Sequence, residues 1–103
     1  MEKVEINWTI PALQMLHKIY DYISLNSVKN AANYINDIYE FVSKLEKHPE
    51  FCSFCKYTKL KIKEFRCCNF KSHVIIYENI SKSELNILAV IHQKRSPNFF
   101  NKI

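Results

Sequence analysis

The sequence predicts an α+β fold in which a helical hairpin packs on one face of a small antiparallel sheet, in the order β-α-α-β-β-β. Three observations support this class. The first residues alternate between apolar and polar side chains, two amphipathic stretches with helical spacing follow, and three short apolar runs separated by polar turns come last. A helical hairpin and a sheet each have one apolar face, and packing them together buries both.

The chain length and composition suit one domain spanning residues 1–103, with residues 96–103 as a C-terminal tail. Hydrophobic residues make up 48% and charged residues 24%, a balance typical of globular domains. The formal net charge of +5 favours polyanions or acidic protein segments as partners. Since the chain has no glycine, its turns must use Asn, Ser and Lys. No segment resembles a signal peptide or membrane span, so we expect a cytoplasmic protein that does not bind membranes.

The first strand and the first helix have clear sequence patterns. Residues 3–8 alternate, with Val4, Ile6 and Trp8 on one side, which predicts a strand with one buried face. Thr9 followed by Pro11 predicts a helix start with Thr9 as its cap. Apolar side chains then recur at spacings of three and four, which predicts an amphipathic helix: Ala12, Leu13, Leu16, Ile19, Tyr20 and Ile23.

The second helix is predicted to begin after a short interruption, where either Asn26 or Ser27 could cap it. Its end is expected near Lys47–Pro49, because the residue before a proline is pushed out of helical angles. The short connection between the helices predicts an antiparallel hairpin. One face of this helix is apolar: Ala31, Ile35, Ile38, Tyr39, Val42 and Leu45.

Three strands are predicted in the second half of the chain, as an antiparallel meander. The first covers residues 57–66, where Leu60 and Ile62 alternate with lysines, and a turn is expected at residues 68–71. The second covers residues 73–77, and the third covers residues 85–91 after a polar connection.

Several polar side chains are candidates for chemistry or binding. His92 could act as an acid or a base, or it could only hydrogen-bond within the strand end. Arg66 and Arg95 are the only arginines in a lysine-dominated chain, so each could bind a phosphate or carboxylate at two points. The alternative for both arginines is a salt bridge within the domain. Glu64 could be a general base if the protein were a nuclease.

A basic strip and two aromatic residues are candidates for partner binding. Lys59, Lys61 and Lys63 share one face of the predicted strand, and Lys56 and Lys71 are near them in sequence. Such a strip could bind RNA or an acidic protein segment, or it could be a solvated face that discourages edge pairing. Phe99 and Phe100 could stack on a partner or fold back on the domain.

The four cysteines are expected to be free thiols in a reducing cytosol. Cys52-x-x-Cys55 and the adjacent Cys67 and Cys68 could suggest zinc. The strand predicted between the two pairs would hold them roughly 30 Å apart, and adjacent residues on a strand point to opposite faces. We therefore predict no metal site and no cofactor. A redox pair at Cys52 and Cys55 lacks the usual strand–helix context.

The order of these elements and several landmark residues resemble the ParE/RelE superfamily of bacterial toxins, from about Val4 to Pro97. The landmarks are Trp8-Thr9 with Pro11-Ala12, Tyr20 to Ile23, Asn30-Ala31-Ala32, His48-Pro49, Phe65-Arg66, Phe70 to Tyr77, and His92 with Arg95-Ser96-Pro97. The resemblance implies a cytoplasmic toxin that a tightly bound antitoxin neutralises in a hetero-oligomer, the antitoxin being encoded by an adjacent gene.

The superfamily has two activities, and the resemblance favours one of them. RelE-like members cut messenger RNA in the ribosomal decoding site, and ParE-like members poison DNA gyrase. RelE-like enzymes tend to have an arginine at the position of Val74, so this apolar residue favours the ParE-like form, as do Phe70-x-x-His73 and His92-x-x-Arg95. A ParE-like toxin would have no catalytic centre. An inactive relative that only binds its antitoxin is a third possibility.

Each activity implies its own set of site residues. A RelE-like nuclease would draw its catalytic groups from Arg66, His92, Arg95 and Glu64. A ParE-like toxin would bind its partners through Lys59, Lys61, Lys63, Arg66, Lys71, His92, Arg95 and Phe99.

Overall fold

A computed structural model describes residues 3–55 and 65–95 of the chain, and it confirms the α+β class and the predicted element order. The strands are β1 (Glu5–Trp8), β2 (Phe65–Phe70), β3 (His73–Asn79) and β4 (Glu84–His92). The helices are α1 (Ile10–Ser24) and α2 (Val28–Ser43), and short 3₁₀ turns follow α2 at Lys44–Glu46 and β4 at Gln93–Arg95. Within the described residues, neither helix is long and apolar enough to cross a lipid bilayer.

The strands form one sheet in the order β1-β4-β3-β2. As predicted, β2, β3 and β4 form an antiparallel meander. Strand β1 pairs with β4 in parallel, so the sheet is mixed. The alternation of side chains within one strand does not encode the direction of its partner strand. The pairing places the start of the chain beside its last strand, with Glu5 opposite Glu84 and Trp8 opposite Ile87.

Both helices begin at the predicted caps. The Thr9 hydroxyl accepts a hydrogen bond from the Ala12 N–H at 3.3 Å and donates one to the Ile87 carbonyl at 2.8 Å, so it ties the start of α1 to β4. Of the two candidate caps for α2, Ser27 has this role, and its hydroxyl accepts from the Asn30 N–H at 3.1 Å. Helix α2 ends at Ser43, where the 3₁₀ turn replaces the α-helix shortly before the predicted end.

Most of the core lies between the helical hairpin and one face of the sheet. A second, smaller cluster lies on the other face, around Val74, Ile76 and Ala89. The register of β3 and β4 shifts between Ile76 and Tyr77, which pair with Ala89 and Ile87 and leave Leu88 as an extra residue. This bulge shifts the alternation of β4 by one residue. Leu85 and Ile87 before it and Val90 after it therefore all face the core on the helical side.

The predicted turn at residues 68–71 is wrong, because β2 continues through Phe70 and the chain turns at Lys71 and Ser72. Cys68 is buried, so the alternation of β2 extends past the point where the sequence suggested a break. Lys71 has φ of 54°, the left-handed region that glycine usually occupies in turns. The part of the predicted strand that precedes Phe65 lies outside the described residues.

The expectation of four free thiols is also wrong. Cys52 is bonded to Cys68 and Cys55 to Cys67, with Cα–Cα distances of 5.4 and 5.0 Å. The estimate of roughly 30 Å between the pairs assumed one straight strand. Instead, Phe54 forms an antiparallel bridge with Arg66, so residues 53–55 lie alongside β2 and the two pairs come together. Cys67 and Cys68 do point to opposite faces, and each finds a different partner there.

Candidate functional site

A cluster of two histidines, a tyrosine and a lysine lies where β2 ends, β3 begins and β4 ends; we call it the histidine end of the sheet. His73, the first residue of β3, is paired in register with His92, the last residue of β4. Their imidazole rings are 5.6 Å apart, centroid to centroid, in an edge-to-face arrangement. Tyr34 comes from α2 above, and Lys71 from the β2–β3 turn.

Hydrogen bonds fix the orientation of both rings. The Nδ1 atom of His73 lies 2.6 Å from the Tyr34 hydroxyl, and the Nδ1 atom of His92 accepts from the Lys94 backbone N–H at 3.2 Å. Burial lowers the pKa of His73 below its usual value, and the nearby His92 lowers it further. His73 is therefore mostly neutral at pH 7, and its Nδ1 shares a hydrogen bond with the Tyr34 hydroxyl.

Lys71 supplies a cation at this end of the sheet, beside the Tyr34 ring that contacts His73. Its ammonium lies 3.4 Å from the Asp37 carboxylate and 5.1 and 5.4 Å from the ring centroids of Tyr34 and Phe70. The Gln93 side chain donates to the Lys71 carbonyl at 2.9 Å, which connects the turn to the end of β4. The side chain of Lys71 is more than half exposed, so its charge remains available to a partner.

The histidine end can bind an anion or move protons. His92 is exposed, His73 is a neutral imidazole held by Tyr34, and Lys71 supplies a fixed positive charge. Imidazoles and ammonium groups are the types of side chain that contact phosphate oxygens and transfer protons near neutral pH. The described residues contain no group of three or more His, Cys, Asp or Glu side chains placed to hold a metal ion.

Arg66 lies away from the histidine end, and its guanidinium contacts the protein itself. Nη1 donates to the carbonyls of Cys52 at 2.7 Å and Glu50 at 3.4 Å. The guanidinium also stacks on the Phe54 ring, 4.2 Å from its centroid. The salt bridge expected as its alternative role is thus replaced by backbone carbonyls and a ring, and Arg66 holds residues 50–54 against β2.

The other candidate residues divide into two groups. The backbone of Arg95 ends the last 3₁₀ turn, close in sequence to His92. Lys56, Lys59, Lys61, Lys63, Glu64, Phe99 and Phe100 lie outside the described residues. Of the predicted partner-binding set, the structure therefore places Lys71 and His92 at one end of the sheet and Arg66 elsewhere.

Sequence reasoning did not identify the pairing of Tyr34 with His73. In the sequence, Tyr34 is one of several tyrosines on the predicted helices, and His73 enters only through the predicted strand and the Phe70-x-x-His73 pattern. They are 39 positions apart in sequence, and no spacing rule joins residues so distant. The available clue was a polar histidine at the start of an otherwise apolar strand.

A concave surface lies beside the 3₁₀ turn after α2. It has a volume of about 520 Å³, and Lys3, Phe41, Lys44, Lys47 and Phe51 are among the residues that line it. None of the described residues that line it is among the site residues predicted from the sequence.

Comparison with known proteins agrees with this architecture. A chain of the solved structure described as the chromosomal ParDE TA system from P. aeruginosa superposes with a TM-score of 0.69 at 20% identity, covering 87% of this chain and 96% of that one. The search of curated proteins found no significant match. The sequence model of the family described as ParE toxin of type II toxin-antitoxin system, parDE, matches residues 6–97. The chain therefore belongs to the ParE toxin family.

Proposed function

We propose that this ParE-type toxin arrests growth by poisoning DNA gyrase in the bacterial cytoplasm, and that a cognate antitoxin neutralises it. The observation that carries the choice of target is Val74. This side chain is 1% exposed and packs with Ile76 and Ala89 in the second core cluster. RelE-like nucleases tend to have an arginine at this position, and a buried valine cannot stabilise the charge of a reacting phosphate.

The contacts of Arg66 support the same choice. A guanidinium that stabilises a reacting phosphate must point its N–H groups at the substrate. In this chain Nη1 donates to the carbonyls of Cys52 and Glu50. Two positions that a RelE-like mechanism would use for cationic groups therefore serve packing, which favours a toxin that acts by binding its target.

The direct test adds purified toxin to DNA gyrase, relaxed plasmid and ATP. We expect supercoiling to stop and linear plasmid to accumulate after denaturation, because a gyrase poison stabilises the cleaved complex. In cells, expression without antitoxin should cause DNA breaks and an SOS response. Lys71→Ala should weaken both effects, and Lys82→Ala, in the exposed β3–β4 connection, is the matched control. Unchanged supercoiling at saturating toxin would contradict the proposal.

The histidine end supports a second candidate, a metal-independent ribonuclease that acts on messenger RNA in the ribosome. His73 and His92 could supply the base and the acid, and Lys71 a cation for the phosphate. Rapid loss of protein synthesis with messenger cleavage, abolished by His92→Ala, would favour this activity over gyrase poisoning. Unaffected growth would indicate a relative that only binds its antitoxin.

Antitoxin binding rests on charge and on exposed apolar side chains of the helical hairpin. Ile10, Tyr22, Leu25 and Val28 are each more than 60% exposed on this hairpin, and the chain carries a net charge of +5. An acidic segment with apolar residues at helical spacing would complement both features. Co-expression with the protein from the adjacent gene should give a stable complex that no longer inhibits gyrase. Leu25→Glu should weaken the complex, and Lys82→Glu should affect it less.

A further inference from the structure

The two disulfides join the same two segments of the chain but lie in different surroundings. Cys52–Cys68 belongs to the main core cluster between the helices and the sheet, where Cys68 is 2% exposed. Cys55–Cys67 lies on the other face of β2, with Cys55 in the smaller cluster and Cys67 only partly buried. Cys52 and Cys55 are each 8% exposed, so the bonds differ in their other cysteine: Cys67 is less buried than Cys68.

The two disulfides differ in how exposed their cysteines are, but hardly in the length of the loop that each one closes. Cys52 and Cys68 are 16 residues apart in sequence, and Cys55 and Cys67 are 12 residues apart. The entropy lost on closing a loop varies only with the logarithm of its length, so the two bonds restrict the unfolded chain almost equally. Thiol–disulfide exchange requires a thiolate to reach a sulfur atom. The bond that includes the partly exposed Cys67 is therefore the easier one to reduce.

We propose that Cys55–Cys67 is a redox-active disulfide that exchanges with dithiol reductants, and that Cys52–Cys68 is a protected structural bond. A thiolate of the dithiol attacks the Cys67 sulfur, a mixed disulfide forms, and the Cys55 sulfur leaves as a thiolate and takes a proton. The second thiol of the reductant then displaces the Cys67 sulfur, which is also protonated. Two electrons and two protons pass to the protein, and the reductant becomes a disulfide.

After reduction of this bond, backbone hydrogen bonds and the second disulfide still hold residues 52–55 against β2. The Cys55 N–H donates to the Phe65 carbonyl at 2.9 Å, and the Cys67 N–H donates to the Ser53 carbonyl at 3.0 Å. Arg66 continues to hold the Cys52 carbonyl, and Cys52–Cys68 continues to hold the segment covalently. The half-reduced protein therefore stays folded.

Reduction of Cys55–Cys67 opens one of the two covalent loops around residues 56–66. Cys55–Cys67 closes the loop that contains residues 56–66, where the sequence has Lys56, Lys59, Lys61 and Lys63. Reduction leaves this lysine-rich stretch closed only by the longer loop of Cys52–Cys68. In a thiol-rich compartment the resident form of the toxin carries one disulfide, Cys52–Cys68. This disulfide exchange is the same whichever target the toxin has.

The test treats the full-length native protein with dithiothreitol, stops samples over time with N-ethylmaleimide, and maps the labelled cysteines by mass spectrometry. We expect a first product labelled only at Cys55 and Cys67, which keeps its circular dichroism spectrum and unfolds cooperatively. Cys52 and Cys68 should react at least tenfold more slowly, and quickly only in denaturant. Labelling of Cys52 and Cys68 first, or of all four together, would overturn the proposal, as would four free thiols before reduction.

Paired variants provide an independent measurement. In Cys55→Ser/Cys67→Ser, the remaining bond should resist dithiothreitol as slowly as Cys52–Cys68 does in the native protein. In Cys52→Ser/Cys68→Ser, the remaining bond should be reduced at the fast rate. Equal rates in the two variants would contradict the assignment. The time course on the native protein decides the question if either variant fails to fold.

Discussion

Lys71 occupies a backbone conformation that most residues avoid. A left-handed conformation costs a residue with a side chain about 1–2 kcal/mol, and glycine takes it without that cost. Lys71 is the one described residue with positive φ, and its side chain points to Asp37 and Tyr34 at the histidine end. A partly exposed ion pair contributes too little to explain this choice of residue. A role for the lysine in partner binding would explain it.

Replacing Lys71 by glycine separates these effects. We expect Lys71→Gly to leave the free energy of unfolding unchanged or raise it by up to about 1 kcal/mol, because relief of the backbone outweighs the lost contacts. Toxicity or antitoxin affinity should fall all the same. Urea denaturation gives the first quantity and growth arrest the second. Lys82→Gly is the control and should be slightly destabilising. A clear loss of stability in Lys71→Gly would show that its contacts are structural.

Arg66 provides a second prediction for a single side chain. Lysine at this position keeps the charge but lacks the planar group that donates to two carbonyls and stacks on Phe54. We expect Arg66→Lys to lower the free energy of unfolding by about 1–2 kcal/mol in urea denaturation. The reverse exchange, Lys82→Arg, should change it by less than about 0.5 kcal/mol. An unaffected Arg66→Lys variant would return Arg66 to the set of candidates for target binding.

Individual positions differed in how far the sequence could predict them. Thr9 and Ser27 follow local rules for helix starts, and Val74 was correctly expected in a buried strand. The hydrogen bond between Tyr34 and His73 depends on how α2 crosses the sheet, which no local pattern encodes. The pairing of four cysteines likewise depends on tertiary contacts, and the sequence alone allows three different pairings.

At the scale of an element, the start of α1 is attached more firmly than the start of α2. Both caps accept a backbone N–H, but the Thr9 hydroxyl also donates to the Ile87 carbonyl of β4. We expect Thr9→Ala to lower the free energy of unfolding by about 2 kcal/mol and Ser27→Ala by about 1 kcal/mol. Thr9→Ser, which keeps the hydroxyl, should lose less than Thr9→Ala. Equal effects of the two alanine variants in urea denaturation would contradict this difference.

Helices were easier to predict than the second half of the sheet. The helical stripes repeat over four turns, so many residues support each boundary. Strands of six or seven residues offer few repeats, and a polar residue such as Asn69 within β2 was enough to suggest a turn. The bulge at Leu88 shifts the alternation within β4, and only pairing with β3 reveals it.

At the scale of the whole molecule, His73 makes stability depend on pH. Burial and His92 lower the pKa of His73 in the folded state, while the unfolded chain keeps the usual value of about 6.5. The unfolded state therefore binds more protons below that pH. The contribution of His73 to the free energy of unfolding is complete above pH 6.5, and it is lost as the pH falls from 6.5 through the lowered pKa.

The measurement is the free energy of unfolding between pH 5 and pH 8, together with an NMR titration of His73. We expect His73 to titrate below pH 6.5 and His73→Gln to flatten the acidic part of the profile. His92→Gln should raise the pKa of His73 only partly, since burial is the larger cause. A profile that is equally steep with and without His73 would assign the effect to another group.

The parallel pairing of β1 with β4 has a consequence for how the chain is made. Asn7 and its hydrogen-bonded partner Asn86 are 79 positions apart, so β1 leaves the ribosome long before the strand that completes its sheet. At about 5–20 residues per second, this interval is roughly 4–16 seconds. Until β4 appears, Ile6 and Trp8 lack that neighbouring strand. A ribosome that stops before β4 thus releases an incompletely paired chain, and a complete fold requires synthesis as far as His92.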